Sequence, residues 1–320
     1  MSARAGPPSF LSFADADAVF SVTMPDGAVL PVYEIAGPAA APALLFGHAN
    51  GMAAGSYGPW LRRLATRRRV FAFDARGHGG SRWPPGALET VFAVDRFADD
   101  IALIAAAVAA RLDGGSLHYA GHSLNAAAAL LLATRAAPLP WSATILFEPP
   151  IFPPSGSPHY AEACEKQAPL IERSAARRAF WASPEALGDV LRARGMFARF
   201  RPDLLAAHCR ATLRPLTQGG YTLCCPPAVE SAIFGIHRAA DTWQRLPSVR
   251  AAIELVGGDP ALRERGWVSP CMPEMAAQLQ RARLTRLDDA GHMMIFEQPD
   301  ACRALVLTEL ANEARHVRGA

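Results

Sequence analysis

Residues 117–125 read Leu-His-Tyr-Ala-Gly-His-Ser-Leu-Asn, and this stretch decides the fold. Its first four residues predict a strand buried in a sheet, and the alanine- and leucine-rich stretch that begins at Leu124 predicts a helix. A serine on the tight turn between such a strand and helix has its hydroxyl lifted clear of the sheet, beside the positive end of the helix dipole. Gly121 is small enough for that turn, whereas Asn125 stands where a second glycine is usual. The stretch predicts Ser123 as a nucleophile; the alternative is a serine that caps the helix of an ordinary turn.

Strand and helix patterns alternate along most of the chain on either side of this turn. Two strands separated by Pro25-Asp26-Gly27 predict a β-hairpin near the start. Short apolar runs, most of them followed by a helical pattern, predict further strands that are buried on both faces. These runs lie at residues 43–47, 70–74, 117–120, 143–147, 252–256 and 283–287. We therefore predict an α/β fold in which a mostly parallel sheet is flanked by helices.

The alternation breaks between residues 149 and 240, where proline, arginine and aromatic residues are frequent. This segment shows helical fragments and no clear strand. We interpret it as a helical cap inserted between the two parts of an α/β core, residues 1–148 and residues 241–320.

The composition argues against several other classes of protein. The chain has 320 residues, of which 51% are hydrophobic and 19% charged, so it can bury a large core. The net charge of +3 is small and the one basic cluster, residues 67–69, is short, so we expect no nucleic-acid surface. No apolar run approaches the about 20 residues of a membrane span, and no signal-peptide pattern occurs. We expect a cytoplasmic protein without a membrane span.

The six cysteines show no metal-site spacing, and we expect free thiols. We expect neither a metal nor an organic cofactor. The expected partner is a small-molecule substrate, and the sequence leaves the oligomeric state open.

Two further loops carry polar residues where predicted strands end. His48-Ala49-Asn50-Gly51 follows the strand at residues 43–47. Acyl transfer needs two donors aimed at the oxyanion, and we assign them to the backbone N–H groups of Asn50 and Leu124. The second loop, residues 74–81, reads Asp-Ala-Arg-Gly-His-Gly-Gly-Ser, and we interpret its charged residues and its histidine as structural.

A nucleophilic serine needs a general base and an acid that orients the base. His292 follows the last predicted strand and precedes Glu297-Gln298-Pro299, which favours it as the base. Asp259 follows the strand at residues 252–256 and lies between the serine and the histidine, in the chain order serine, acid, histidine, and we assign it as the acid. Glu148 ends the strand at residues 143–147 and is the competing acid, or else a residue that supports the site.

Taken together, these motifs resemble the α/β-hydrolase fold superfamily, in its capped branch of serine esterases. The resemblance covers roughly residues 18–148 and 245–315, and its most specific part is the D-x-R-G-x-G-x-S pattern of residues 74–81. It implies a Ser-His-Asp hydrolase that cleaves a carboxylic ester or related acyl bond of a small, apolar substrate through an acyl-enzyme. A carbon–carbon bond hydrolase, a lactonase or a perhydrolase on the same triad is the alternative, followed by a non-catalytic ligand-binding homologue.

Overall fold

One sheet of eight strands forms the centre of the computed structural model, which describes residues 10–135, 138–236, 241–262 and 269–316. In chain order the strands of the described residues are β1 Ala18–Thr23, β2 Val29–Ile35, β3 Ala43–Gly47, β4 Val70–Phe73, β5 Leu117–His122, β6 Ala143–Phe147, β7 Phe180–Trp181, β8 Leu213–Pro215, β9 Tyr221–Leu223, β10 Ile253–Gly257 and β11 Ala282–Arg286. The α-helices there are α1 Gly58–Ala65, α2 Leu88–Val91, α3 Val94–Ala109, α4 Leu124–Ala133, α5 Tyr160–Ala175, α6 Pro184–Arg192, α7 Pro202–Ala211, α8 Pro227–Ile236, α9 Thr242–Arg245, α10 Met272–Gln278, α11 Met294–Glu297 and α12 Pro299–His316.

The main sheet has the strand order β1-β2-β4-β3-β5-β6-β10-β11. The β1–β2 hairpin is antiparallel, β2 pairs antiparallel with β4, and every other pair of neighbours is parallel. Strands β3, β4, β5, β6 and β10 are buried along their whole length. Because both of their faces are covered, their residues form apolar runs with little polar alternation. The predicted α/β-hydrolase fold class is confirmed.

Helices cover both faces of the sheet, since successive side chains of a strand point to opposite sides. In β3, Leu45 packs into the apolar cluster that includes residues of α3 and α4. Its neighbours Leu44 and Phe46 pack into the second cluster, which includes residues of α1 and α12. The sheet is therefore the middle of three layers.

The segment between β6 and β10 carries helices α5 to α9 and a second, three-stranded antiparallel sheet in the order β7-β9-β8. We did not predict these strands, because each has only two or three residues and is too short to show alternation. The segment packs on the core: α7 contacts α1, and the Phe200 ring stacks on Phe296 with 4.4 Å between centroids. The division of the chain into a core and a cap stays a prediction.

The parallel strands bring the polar loops to one edge of the sheet. Strand β3 leads into residues 48–51, β5 into Ser123, and β6 into Glu148. Strands β10 and β11 lead into the loops that carry Asp259 and His292. Ligands of open α/β sheets bind at this edge, outside the carboxyl ends of the strands.

Candidate active site

Ser123 occupies a sharp turn between the last residue of β5 and the first residue of α4. Its backbone lies at φ 52° and ψ −111°, outside the regions that residues with a side chain prefer. The turn requires a glycine two positions earlier, since a Cβ on Gly121 would lie 2.9 Å from the amide nitrogen of Ala126. Backbone strain is thus concentrated at the serine, as in a nucleophile elbow.

Asn125 fills the position of the second glycine, and the neighbouring strand makes room for it. A Cβ on Gly47 in β3 would lie only 2.6 Å from the Cβ of Asn125. The buried Asn125 side chain donates from Nδ2 to the carbonyl of His48 at 2.6 Å. The Tyr119 hydroxyl donates to the backbone carbonyl of Asn125 at 3.0 Å. The departure from the usual motif therefore ties the elbow to the loop at residues 48–51.

His292 lies beside Ser123, with 3.0 Å between its Nε2 and the serine Oγ. This is hydrogen-bonding distance for a base that takes the hydroxyl proton. The loop around the histidine is held by the N–H of Gly291, which donates to Glu297 at 2.9 Å. Ser123 is only 6% exposed and the His292 side chain 13%, so little of the pair faces solvent.

Glu148 is the carboxylate that lies next to His292. Its Oε2 is 3.7 Å from the His292 Nδ1, a buried nitrogen that has no hydrogen-bond partner among the described residues. Glu148 is itself fully buried, and it accepts hydrogen bonds from the N–H of Gly258 at 2.7 Å and of Ser269 at 2.9 Å. Two backbone amides therefore hold this carboxylate on the Nδ1 side of the ring.

The structure does not bring Asp259, the predicted acid, into contact with His292. The Asp259 Oδ1 accepts the N–H of Ala261 and its Oδ2 accepts the N–H of Asp289, both at 2.9 Å. These two hydrogen bonds hold the pKa of the partly exposed Asp259 below its ordinary value, and the bond from Asp289 has the larger effect. The hydrogen bond from the amide two residues ahead forms an Asx turn. This local bond occupies a carboxylate oxygen that would otherwise be available to His292.

Asn50 and Leu124 carry the backbone N–H groups that we predicted as oxyanion donors. Neither N–H donates to another protein atom in the part of the chain that the structure describes. Leu124 is the first residue of α4, where an amide has no partner within the helix. The Asn50 side chain is anchored, because its Nδ2 donates to the carbonyl of Glu230 at 3.0 Å. The loop thus keeps its shape while the Asn50 amide stays available.

Residues 74–81 stabilise the loops around the site. The Arg76 guanidinium binds both oxygens of Asp100 at 2.7 Å. Burial lowers the pKa of His78 to about 3, so its ring is neutral. The His78 Nε2 accepts the N–H of Gly51 at 3.0 Å, which joins this segment to the loop at residues 48–51.

Sequence reasoning missed two polar side chains behind the site. Tyr57 and His122 are fully buried, with 2.7 Å between the tyrosine hydroxyl and the histidine Nδ1. His122 directly precedes the predicted nucleophile Ser123, and this position could have pointed to it from the sequence. Tyr57 lies in a short turn that no pattern marks as functional.

Other kinds of site are not found in the described residues. No group of three or more His, Cys, Asp or Glu side chains is placed there to hold a metal ion. No described helix is long and apolar enough to cross a membrane. None of the cysteines forms a disulfide bond within the described residues, and all except Cys164 are buried.

The fold and the elbow define a class, that of α/β-hydrolase proteins. The model of the alpha/beta hydrolase family matches residues 44–305, and the chain belongs to that family. A search of curated proteins finds no match.

Several solved structures share this fold. An E-2-(acetamidomethylene)succinate hydrolase is 20% identical, with a TM-score of 0.73 over 92% of this chain and 100% of its own. The enol-lactonase from Burkholderia xenovorans LB400 is 20% identical, with a TM-score of 0.63 over 91% of this chain and 99% of its own. A thermophilic esterase from Thermogutta terrifontis is also 20% identical, with a TM-score of 0.63 over 92% of this chain and 99% of its own. At such identities the likeness shows the fold alone.

Proposed function

We propose that this chain is a serine hydrolase that cleaves a carboxylic ester or a related acyl bond of a small, apolar substrate through an acyl-enzyme. Ser123 is the nucleophile, His292 the general base, and Glu148 the acid that orients the base. The observation that carries the proposal is the 3.0 Å contact between Ser123 Oγ and His292 Nε2 at a strained strand-to-helix turn. Glu148 replaces Asp259 in this triad because it faces the Nδ1 of His292 at 3.7 Å.

The first half-reaction forms the acyl-enzyme. As Ser123 Oγ attacks the acyl carbon, His292 Nε2 takes the hydroxyl proton. Negative charge develops on the carbonyl oxygen, where the free amides of Asn50 and Leu124 donate hydrogen bonds. When the intermediate collapses, the bond to the leaving alcohol breaks and His292 returns the proton to the alcohol oxygen.

The second half-reaction releases the acid. His292 takes a proton from water as the water oxygen attacks the acyl carbon. The bond to Ser123 Oγ then breaks, and the serine recovers its proton from His292. Glu148 stabilises the imidazolium in both halves, because its charge lies on the side of the ring away from the reacting atoms.

Two features of the site favour a small, uncharged acyl group. Ser123 is 6% exposed, and the inserted segment contacts the neighbouring loop through the bond from Asn50 to the carbonyl of Glu230. Within the described residues His292 makes no ion pair except with Glu148, so its Nε2 faces the reacting serine without a charged partner.

The experiment compares ester hydrolysis and active-site labelling in matched serine variants. Purified wild-type protein is assayed with p-nitrophenyl esters from acetyl to octanoyl and labelled with a fluorophosphonate probe. Ser123→Ala should lose the label and several orders of magnitude in turnover. Ser142→Ala removes an exposed hydroxyl whose hydrogen bond within the described part of the chain goes to the Leu117 carbonyl, and it should behave as wild type.

Each contrary outcome has its own meaning. Full esterase activity in Ser123→Ala would show that the triad is wrong. Labelling at Ser123 without ester hydrolysis, together with cleavage of a vinylogous diketone, would replace the ester by a carbon–carbon bond as the substrate class. No labelling at Ser123 would favour a non-catalytic ligand-binding protein.

A further inference from the structure

Tyr57 and His122 form a buried chain of hydrogen bonds behind the catalytic residues. The Tyr57 hydroxyl oxygen lies 3.2 Å from the amide nitrogen of Ala49 and 2.7 Å from the His122 Nδ1. On the other side of the ring, the His122 Nε2 lies 2.8 Å from the carbonyl oxygen of His292. The contacts span 65 residues between Tyr57 and His122 and 170 residues between His122 and His292. One chain of contacts therefore joins three loops that are far apart in sequence.

The position of each proton follows from the two ends of this chain. A carbonyl only accepts, so His122 carries its proton on Nε2 and donates to His292. In a neutral ring Nδ1 is then the acceptor, and the Tyr57 hydroxyl donates to it. The Tyr57 oxygen in turn accepts the N–H of Ala49. Burial and, to a smaller extent, the neighbouring His292 lower the pKa of His122 to about 3. The ring therefore keeps this neutral form near neutral pH.

We propose that Tyr57 and His122 are positioning residues that fix the nucleophile, the base and one oxyanion donor at the correct distances from one another. The inference rests on the proposed function, because these distances matter only if the groups react. Both side chains are fully buried, so neither is placed to bind substrate from solvent. A buried polar network is stable only when all its members are paired, which favours one arrangement of the three loops.

Each bond of the chain ends at a reacting residue or directly beside one. Ala49 precedes Asn50, so its bond fixes the peptide next to the oxyanion donor. His122 precedes Ser123 at the elbow, and the accepting carbonyl belongs to His292 itself. A misplacement of about 1 Å can lower a rate about 10²-fold, so a break in this chain should slow the chemistry.

The first test is Tyr57→Phe, which removes one oxygen and keeps the ring. We expect kcat for a p-nitrophenyl ester to fall on the order of 10- to 100-fold. KM should stay within about a factor of two, because the chain lies behind the catalytic residues and touches no substrate. The loss should be equal across the neutral pH range, because the His122 ring does not titrate there.

The matched control is Tyr33→Phe. Tyr33 is as buried as Tyr57, and its hydroxyl also makes two hydrogen bonds, accepting from the Ser12 amide at 3.1 Å and donating to Asp74 at 2.7 Å. Removing it should lower the thermal unfolding temperature by a similar amount but lower kcat far less than Tyr57→Phe does, because its hydrogen bonds reach none of Ala49, His122 and His292. Equal kcat values in the two folded variants would overturn the inference.

A pair of variants at His122 decides the matter if Tyr57→Phe does not fold. His122→Gln keeps an amide N–H that can reach the carbonyl of His292, whereas His122→Leu removes both polar atoms. We expect the glutamine variant to retain several times the kcat of the leucine variant. Equal kcat values in this pair would also overturn the inference. Failure of the wild-type protein to be labelled at Ser123 would instead count against the proposed function, so the two failures are distinct.

Discussion

Glu148→Gln tests which carboxylate orients the base. The substitution keeps the size of the side chain and removes the charge that lies 3.7 Å from the Nδ1 of His292. In the proposed reaction His292 becomes an imidazolium, and a neutral amide cannot stabilise that charge as a carboxylate does. We therefore expect the chemical step, kcat, to slow.

The expected size of the effect follows from this distance. Two unit charges 3.7 Å apart attract each other by about 4.5 kcal/mol at an effective dielectric constant of about 20. Since about 1.4 kcal/mol corresponds to a factor of ten, the loss of kcat should be on the order of 10³-fold. Glu148 also accepts the N–H groups of Gly258 and Ser269, and one of them would meet the glutamine NH₂. The free energy of unfolding should therefore fall by about 1–3 kcal/mol.

Asp259→Asn is the matched control, because it removes the charge of the other candidate acid. The Asp259 carboxylate is partly exposed and bonded to the backbone of Ala261 and Asp289. We expect kcat to stay within about a factor of three of wild type.

The assay is steady-state hydrolysis of a p-nitrophenyl ester at neutral pH, with thermal unfolding recorded for each variant to show that it is folded. Glu148→Asp keeps the charge and shortens its reach, so its kcat should lie between those of wild type and Glu148→Gln. A loss on the order of 10³-fold in Asp259→Asn, with near wild-type kcat in Glu148→Gln, would refute the assignment.

Three further predictions concern the elbow and the buried rings. Gly121→Ala places a Cβ 2.9 Å from the amide nitrogen of Ala126, so both the melting temperature and kcat should fall. Wild-type values of both would contradict the packing argument. Asn125→Gly removes the donor to the carbonyl of His48 and should lower kcat several-fold with little change in KM, and a rise in kcat would show that the bond does not support the site. Burial lowers the pKa of three histidines to about 3, namely His78, His122 and His208. Below about pH 6.5 these rings bind protons in the unfolded chain but not in the native state. The free energy of unfolding is therefore highest above that pH, and between about pH 6.5 and about pH 3 each ring lowers it by about 1.4 kcal/mol per pH unit as the pH falls. Denaturant unfolding at pH 7 and pH 5 measures this slope, and equal stability at both would contradict it.

The strand pattern of the core could be predicted from sequence alone. A strand buried on both faces must be apolar throughout, and such runs occur at residues 43–47 and 143–147, where β3 and β6 lie. The glycine before the elbow and the serine on it are also local signals, because the close approach of β5 and α4 is a property of one short stretch. The three short strands of the inserted segment could not be predicted, since two or three residues show no period.

The arrangement around His292 was decided only by the tertiary structure. Asp259 and Glu148 both follow a buried strand, so the local pattern does not say which of them faces the base. Glu148 is held by amides 110 and 121 residues further along the chain, and those bonds exist only once the strands lie side by side. Asn125 likewise fits because Gly47, on a neighbouring strand, leaves space for it. Sequence periodicity reports which residues are buried, whereas the partner of a buried polar group depends on segments that only the folded sheet brings together.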